Sequence, residues 1–359
     1  MTGAEAAREP WDTIVIGAGL GGGVAARALA EAGQRVLILE RGTQGQRTAQ
    51  NGLDATGLPE ARLVRGMWPE PLTITLDGRE HHFFAPLGAG VGGSSVFYAA
   101  TLERPERHDL DDLPDRPHPT GGWPVSFDAM APWFARAARL FRLYGTRDPL
   151  SDADPLPLRT PPPFTPVEAA LTQALSDSGL HPYHAPTALA DPQHCRKCLG
   201  RKCPRACKMD GRSAGIEPAL ATGNAHLLTR AQVTRLVPEG DRIARVEACV
   251  KGETLSFSAR HVVLAGGALH SPRVLLASTS EAWPDGLANR SGLVGRNLMF
   301  HVNEMFALWP PRGYRGPETT KAIAFRDLYH DGSTRFGAVQ SLGVRASYGE
   351  ILHYLRLAL

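Results

Sequence analysis

The sequence lacks the features that mark membrane, exported or nucleic-acid-binding proteins. No apolar run approaches the roughly 18 residues that a transmembrane helix requires. The first residues, MTGAEAAREPWD, lack the apolar core of a signal peptide. The formal net charge is only +3 over 359 residues, so a general affinity for nucleic acid is not indicated. We therefore expect a cytoplasmic protein without a membrane span, although export with a signal-bearing partner stays open.

Internal repeats are absent as well, and cysteine is scarce. The chain has five cysteines. Cys249 lies alone in a predicted strand, where we expect a buried apolar residue. The other four fall in one short stretch between residues 195 and 207. A length of 359 residues is sufficient for two domains with a large core.

The stretch from Thr13 to Gly42 carries the clearest motif. An apolar run at 14–16 predicts a buried parallel strand, and Gly17, Gly19 and Gly22 follow it at G-x-G-x-x-G spacing. At this spacing the first glycine permits a tight turn and the second lets the backbone approach a pyrophosphate. The third lets the following helix pack closely on the strand. The motif therefore predicts an adenine dinucleotide site.

The elements after the glycines complete this motif. A helix is predicted at about 21–32, ending at Gly33, and a second strand at 35–39 delivers Glu40 at its tip. An acid at this position can accept hydrogen bonds from ribose hydroxyls. The motif does not separate FAD from NAD, although its N-terminal position favours FAD. Arg41 could steady a 2′-phosphate, which keeps NADP open.

The rest of the chain is predicted from periodicity and turn residues. A hairpin is expected at 72–76 and 81–84, with its turn at Asp77-Gly78. Helices are predicted within 122–144, at 166–178, at 271–277 and at the C-terminal end, and further strands at 227–236, 243–250, 262–264 and 303–308.

A second glycine-rich block occupies residues 86–105, PLGAGVGGSSVFYAATLERP. Such a segment can bring its backbone against a flat or anionic ligand, with serine hydroxyls as additional donors. The alternative is a flexible surface loop, because glycine often marks only a turn.

The cysteine cluster has the spacing C-x2-C-x4-C-x3-C, formed by Cys195, Cys198, Cys203 and Cys207. Four thiolates packed this closely favour an iron–sulfur cluster, whose negative charge the surrounding lysines and arginines would offset. A structural zinc site and disulfides or free thiols stay open, since spacing alone assigns a metal poorly.

Several blocks follow one another in the order typical of glucose-methanol-choline (GMC) oxidoreductases, and the sequence resembles that family over nearly its whole length. The blocks are the N-terminal glycine motif with Glu40, GVGGSS, GWPVSFDAMAPWF, and GGALHSPRVLLAS followed by GLANRSGLVGRNLMFH. The resemblance implies an α/β fold, in which a Rossmann-like FAD-binding domain of the glutathione-reductase type is interrupted by an α+β substrate domain. The expected bounds are 1–105 and 216–300 for the FAD-binding domain, 106–190 and 301–359 for a partial substrate domain, and 191–215 for a cysteine-rich loop.

The resemblance also implies nine cofactor-binding residues. The ADP half of FAD would be held by Gly17, Gly19, Gly22 and Glu40. The pyrophosphate and flavin would lie along Gly93, Ser94 and Tyr98. Val233 would contact adenine through its backbone, and Gly266 would close on the cofactor from another strand.

The sequence departs from the family pattern in three ways. Tyr98 stands where Asn or His is usual, and Thr279 stands where Gly is usual. The family's catalytic His and its partner lie in a C-terminal region that has no match, so we expect a C-terminally truncated, N-terminal portion of the enzyme. The catalytic base is therefore unknown. The remaining histidines, including His81, His82, His270 and His301, are weak substitutes.

The resemblance implies an FAD-dependent oxidoreductase that acts on the CH–OH group of an alcohol, sugar or sugar-like substrate. A base would take the hydroxyl proton while a hydride passes to flavin N5. An iron–sulfur cluster would remove the electrons singly, which favours a dehydrogenase with an electron-acceptor protein over an oxidase. The alternatives are a flavoprotein acting on C–C bonds, a catalytically incomplete FAD- or metal-binding fragment, and a zinc-knuckle interaction module.

Overall fold

The structure is a computed structural model that describes residues 1–47, 58–85, 87–195, 202–299, 304, 306, 308, 321–329, 334 and 336–342. The chain forms two compact units. The first unit contains Met1–Tyr98 and Gly200–Phe306, and the second contains Ala99–Leu199 and Ala307–Leu359. No helix within the described residues has the length and apolarity needed to cross a membrane.

Helices and strands alternate through much of the described chain. In chain order they are α1 Gly3–Ala6, β1 Trp11–Ile16, α2 Leu20–Glu31, β2 Val36–Leu39, α3 Pro59–Arg65, β3 Leu72–Leu76, β4 Arg79–Phe83, α4 Phe127–Leu140, β5 Leu143–Tyr144, α5 Pro166–Asp177, β6 Tyr183–His184, β7 Thr187–Ala188, α6 Glu217–Ala221, β8 Ala225–Leu228, β9 Ala231–Glu239, β10 Arg242–Val250, β11 Glu253–Phe257, β12 Ala259–Leu264, α7 Gly267–Ala277, β13 Ile323–Phe325 and β14 Val339–Gln340.

A parallel sheet of order β12-β1-β2-β8 forms the centre of the first unit. Successive residues of β1 face opposite sides of it. Ile14 and Ile16 pack towards the antiparallel sheet β11-β10-β9, whereas Val15 packs towards α2. These positions are almost wholly buried. The predicted strand–helix–strand order is thus confirmed, and the carboxyl ends of β12, β1 and β2 meet at one edge of the sheet.

Two predicted elements of the first unit differ from the structure. The single strand predicted at 227–236 is two strands, β8 and β9, which belong to different sheets. The chain breaks between them at Arg230, whose φ of +52 does not fit a strand. The helix predicted from residue 271 begins earlier, at Gly267, because Gly266 caps it and Pro272 is accommodated inside it. The hairpin β3–β4 forms as predicted, with positive φ at Asp77 and Gly78.

The second unit contains the two predicted helices and two small sheets. α4 packs through Phe127 on Leu110 and Ala153, and α5 begins at a capping box. The sheets have the orders β14-β13-β6 and β5-β7. The predicted C-terminal helix lies outside the described residues, as does most of the strand predicted at 303–308.

Candidate cofactor site

Three glycines perform different tasks in the turn between β1 and α2. Gly17 has a left-handed φ of +99, and a Cβ there would lie 2.5 Å from the Ala265 carbonyl oxygen. A Cβ on Gly22 would lie 2.0 Å from the Gly17 carbonyl oxygen, so α2 approaches this closely only without a side chain. A Cβ on Gly19 would meet nothing within 4 Å. The turn therefore leaves open space beside Gly19.

The N-terminus of α2 begins at this open space. Gly19 is the N-cap residue, no side chain caps the helix, and its first turn contains no acidic residue. The first N–H groups of a helix have no acceptors within it, and the helix dipole makes this end positive. The site is therefore suited to an anion such as a pyrophosphate.

Glu40 follows β2 and is fixed beside the same turn. It is 6% exposed, and its Oε2 and Oε1 accept hydrogen bonds from the N–H groups of Ala18 and Gly42, each at 2.8 Å. Burial raises the pKa of this carboxyl, while the two hydrogen bonds act to lower it. Each oxygen keeps a lone pair to which a ribose hydroxyl can donate.

The second glycine-rich block forms a tight turn next to Gly19. Gly92 and Gly93 have φ of +97 and +55, and a 3₁₀ turn, Gly93–Val96, follows. A Cβ on Gly93 would lie 3.0 Å from the Gly19 Cα. Ser94 is exposed, and its hydroxyl accepts from the Gly88 N–H at 3.0 Å. This geometry favours a backbone that approaches a ligand over a loose surface loop.

Tyr98 is held by the segment that follows the cysteines. Its hydroxyl donates to the Met209 carbonyl at 2.7 Å, and the Lys208 ammonium donates to the Tyr98 carbonyl at 3.0 Å. Burial, assisted by the nearby Asp210 charge, raises the pKa of Tyr98. The phenol therefore stays protonated at neutral pH. Its contact with a flavin remains a prediction.

Basic and aromatic side chains lie beside Glu40. The Arg41 guanidinium stacks on Trp68, 3.9 Å from the ring centroid, and pairs with Glu70. His270 meets Trp68 edge-on, with ring centroids 6.2 Å apart. Arg41 Nη1 and His270 Nδ1 are buried without a hydrogen-bond partner among the described residues. Sequence reasoning did not identify Trp68, because a lone aromatic in an aperiodic stretch carries no motif.

Val233 and Gly266 border this region from β9 and β12. Val233 follows Ala231, whose N–H donates to the Glu40 carbonyl at 2.9 Å. The Val233 side chain is buried in the core, and the His270 ring makes a hydrogen bond to the Val233 backbone. The Gly266 Cα lies 3.2 Å from the position of a Cβ on Gly17. The structure therefore gathers most of the predicted residues around one turn, namely Gly17, Gly19, Gly22, Glu40, Gly93 and Gly266.

The cysteine cluster is only partly described. Cys203 and Cys207 are buried, with their sulfurs 3.4 Å apart, and Cys195 is half-buried. Cys198 lies outside the described residues. No group of three or more His, Cys, Asp or Glu side chains that could hold a metal occurs in the described part of the chain. The iron–sulfur cluster and the zinc site are therefore not supported.

Comparison with known proteins agrees with this geometry. A family profile described as GMC oxidoreductase matches residues 11–303. Paromamine 6′-oxidase of Streptomyces fradiae is 28% identical over 89% of the chain and 61% of its own length. 2-Methyl-1,2-propanediol dehydrogenase of Mycolicibacterium austroafricanum is 27% identical over 94% of the chain and 63% of its own length. The chain thus spans a little over three-fifths of the length of each of these two relatives.

Solved structures share the fold. Pyridoxine 4-oxidase from Mesorbium loti superposes with a TM-score of 0.50 and 22% identity, over 75% of this chain and 52% of its own. An FAD-dependent oxidoreductase from Chaetomium thermophilum gives a TM-score of 0.51 and 19% identity, over 75% of this chain and 47% of its own. The Rossmann-like α/β fold is thereby confirmed, and the family match supports FAD as the cofactor. The chain belongs to the GMC oxidoreductase family.

Proposed function

We propose that the first unit binds FAD and that the chain belongs to an oxidoreductase acting on CH–OH groups. The open space beside Gly19, at the uncapped N-terminus of α2, is the observation that carries this proposal. A pyrophosphate would meet the backbone there, and Glu40 would accept from the adenosine ribose. Arg41 Nη1 and His270 Nδ1, both near the Trp68 ring, are buried polar atoms to which a ligand would supply partners.

The other predicted residues would orient the flavin end. The turn at Gly93 and Ser94 would flank the pyrophosphate, and Tyr98 would lie along the ring system. Bound FAD would supply the hydride acceptor for oxidation of a CH–OH group at this site. The chain's contribution is to hold that acceptor in place and to keep the Tyr98 hydroxyl protonated and directed at Met209.

We assign no catalytic base to the described residues. His81 and His82 lie on the exposed strand β4, away from any enclosed site. His270 packs on Trp68, and burial together with the Arg41 and Arg273 charges lowers its pKa. His301 lies outside the described residues.

For the substrate we propose a polar alcohol or a sugar-like compound. The relatives' names include both oxidases and a dehydrogenase, so either oxygen or another carrier can be the acceptor. We propose a dehydrogenase with an electron-acceptor protein, and the second unit as part of the substrate domain. The relative named 2-methyl-1,2-propanediol dehydrogenase supports the dehydrogenase assignment.

Titration of the apo-protein with FAD tests the proposal. The flavin absorption should remain with the protein through gel filtration at one FAD per chain. Failure to retain flavin would contradict the proposal. The loaded chain is then incubated with alcohols, with either oxygen or an artificial dye as acceptor. Reduction of the dye alone would favour a dehydrogenase, and consumption of oxygen an oxidase.

A further inference from the structure

Asp210 is a buried acid in the first unit that no motif singled out. It is 1% exposed and borders a small, partly open pocket. Other residues lining this pocket are Gly93, Val96, Arg47, Lys202 and Arg212.

The two carboxylate oxygens of Asp210 have different surroundings. Oδ1 accepts from the N–H groups of Arg212 and Ser213, at 3.0 and 2.8 Å, and so caps the π-helical turn Gly211–Ile216. Oδ2 is buried without a hydrogen-bond partner among the described residues. A buried acceptor in this state is unfavourable, and more so when it carries charge. Oδ2 is therefore available to a donor from a ligand.

The nearby cations are engaged elsewhere. Arg212 donates to Glu217 at 2.8 Å, and Arg47 donates to Ser213 and Glu217 at 3.1 and 2.8 Å. Lys202 donates to the Gln46 carbonyl at 3.3 Å. Burial raises the pKa of Asp210, while the charges of Arg47 and Lys208 favour its ionised form. The cations balance the charge of Asp210 without occupying Oδ2.

The neighbours of Asp210 in sequence place it between the two halves of the cofactor site. A Cβ on Gly211 would lie 2.7 Å from the Gly19 carbonyl carbon, beside the proposed pyrophosphate position. The Met209 carbonyl accepts from Tyr98, which would lie along the flavin. In FAD the ribityl chain joins these two parts, and its hydroxyl groups are hydrogen-bond donors.

We propose that Asp210 is a positioning residue whose Oδ2 accepts a hydrogen bond from a ribityl hydroxyl of FAD. The inference rests on the proposed function, since it requires FAD in the first unit. It predicts a contact with the flavin half of the cofactor and none with the ADP half.

The variant Asp210→Asn tests this contact. Its amide oxygen can still cap the π-helical turn, while its NH₂ group replaces the Oδ2 acceptor by a donor. The parent and the variant are titrated with FAD and, separately, with ADP by calorimetry. We expect the Kd for FAD to rise about tenfold, or about 1.4 kcal/mol, and the Kd for ADP to stay unchanged.

Two further variants keep the test decisive. Glu217→Gln removes a charge that pairs with Arg47 and Arg212, and it should leave the ratio of FAD to ADP affinity unchanged. Asp210→Ser keeps a capping hydroxyl if the Asn variant folds poorly, and it should show the same selective loss of FAD affinity.

Unchanged FAD affinity in the Asp210 variants, or equal weakening of FAD and ADP, would overturn the inference while leaving the proposed function standing. If the parent chain binds neither ligand, the proposed function fails and the inference fails with it.

Discussion

At the scale of single residues, substitutions of the glycines at the start of α2 distinguish effects on ligand binding from effects on packing. A Cβ would meet nothing within 4 Å at either Gly19 or Gly21, so alanine fits the folded protein at both positions. Only Gly19 is the motif glycine at which a pyrophosphate would approach the backbone. Gly22 differs from both, because α2 and β1 meet there. Alanine at Gly19 should therefore weaken FAD binding, and alanine at Gly22 should destabilise the fold. Alanine at Gly21 should do neither.

Gly19→Ala should weaken FAD binding about tenfold, or about 1.4 kcal/mol, because its methyl group enters the space that the pyrophosphate needs. The melting temperature of the apo-protein should not fall. Flavin fluorescence titration gives the affinity, and Gly21→Ala on the same helix is the control that should bind FAD normally. Equal affinities for the two variants would refute the assignment of Gly19.

Gly22→Ala should destabilise the fold itself. Its Cβ would lie 2.0 Å from the Gly17 carbonyl oxygen, and overpacking of this kind costs about 1–3 kcal/mol. Urea unfolding of the apo-protein measures the loss, again with Gly21→Ala as the control. An unchanged unfolding midpoint would show that α2 can move away from β1 freely.

At the scale of elements, α5 begins with a reciprocal capping box. The Thr165 hydroxyl accepts from the Glu168 N–H at 3.3 Å, and the Glu168 carboxylate accepts from the Thr165 N–H at 2.8 Å. Thr165→Ala should lower the free energy of unfolding by about 1 kcal/mol. Thr165→Ser retains the hydroxyl and should lose much less in the same urea titration. Similar losses for both variants would mean that the methyl group, not the cap, stabilises the helix start.

Local sequence patterns predict those helices, strands and turns whose formation depends on neighbouring residues. The apolar run of β1, its glycines and the Thr165 cap can all be read from adjacent residues, as can the turn at Asp77-Gly78. The break between β8 and β9 at Arg230 could not be predicted, because arginine is not a residue that indicates a turn. There the chain leaves the parallel sheet for β9, and the Gly42 carbonyl accepts from the Arg230 N–H at 2.8 Å.

The candidate site likewise contains some residues that local motifs predict and others that they do not. Gly17, Gly19 and Glu40 belong to one continuous motif, so their proximity follows from a single strand–turn–helix unit. Trp68 and Asp210 reach the site from distant segments and follow no recognisable spacing. Their positions depend on tertiary packing, which local sequence patterns do not reveal.

At the scale of the whole molecule, a buried charge network joins distant segments of the second unit. Arg326 donates to Glu106 at 2.5 Å, to Glu103 at 3.3 Å and to the Arg104 carbonyl at 3.0 Å. Asp148 lies 3.9 Å from its Nε. Burial raises the pKa of both Glu103 and Glu106, while the Arg326 charge acts to lower it.

Arg326→Met should destabilise the second unit by about 3 kcal/mol near neutral pH, because it leaves buried carboxylates without their cation. Both glutamates have folded-state pKa values above their unfolded values, so protonation favours the folded state. The loss of unfolding free energy in Arg326→Met should therefore shrink as the pH falls through the raised pKa values towards the ordinary glutamate pKa. Unfolding curves recorded across this pH range measure that loss.

Asp128→Asn is the control for this experiment, because Asp128 pairs with Arg107 at the exposed surface of the same unit. It should shift the unfolding midpoint far less than Arg326→Met. A deficit of Arg326→Met that is constant with pH would show that lost packing, not uncompensated charge, is the cause.

In the first unit, the turn after β1 is proposed to receive the ADP half of FAD. The most direct test is the melting temperature of the apo-protein with FAD, ADP or FMN, because FMN lacks the adenosine part. At a concentration one hundred times Kd, a ligand stabilises by about 2.7 kcal/mol. At equal ligand concentrations, we predict that FAD and ADP each raise the melting temperature and that FMN raises it less than FAD does. No shift with FAD, or an equal shift with FMN, would contradict the account.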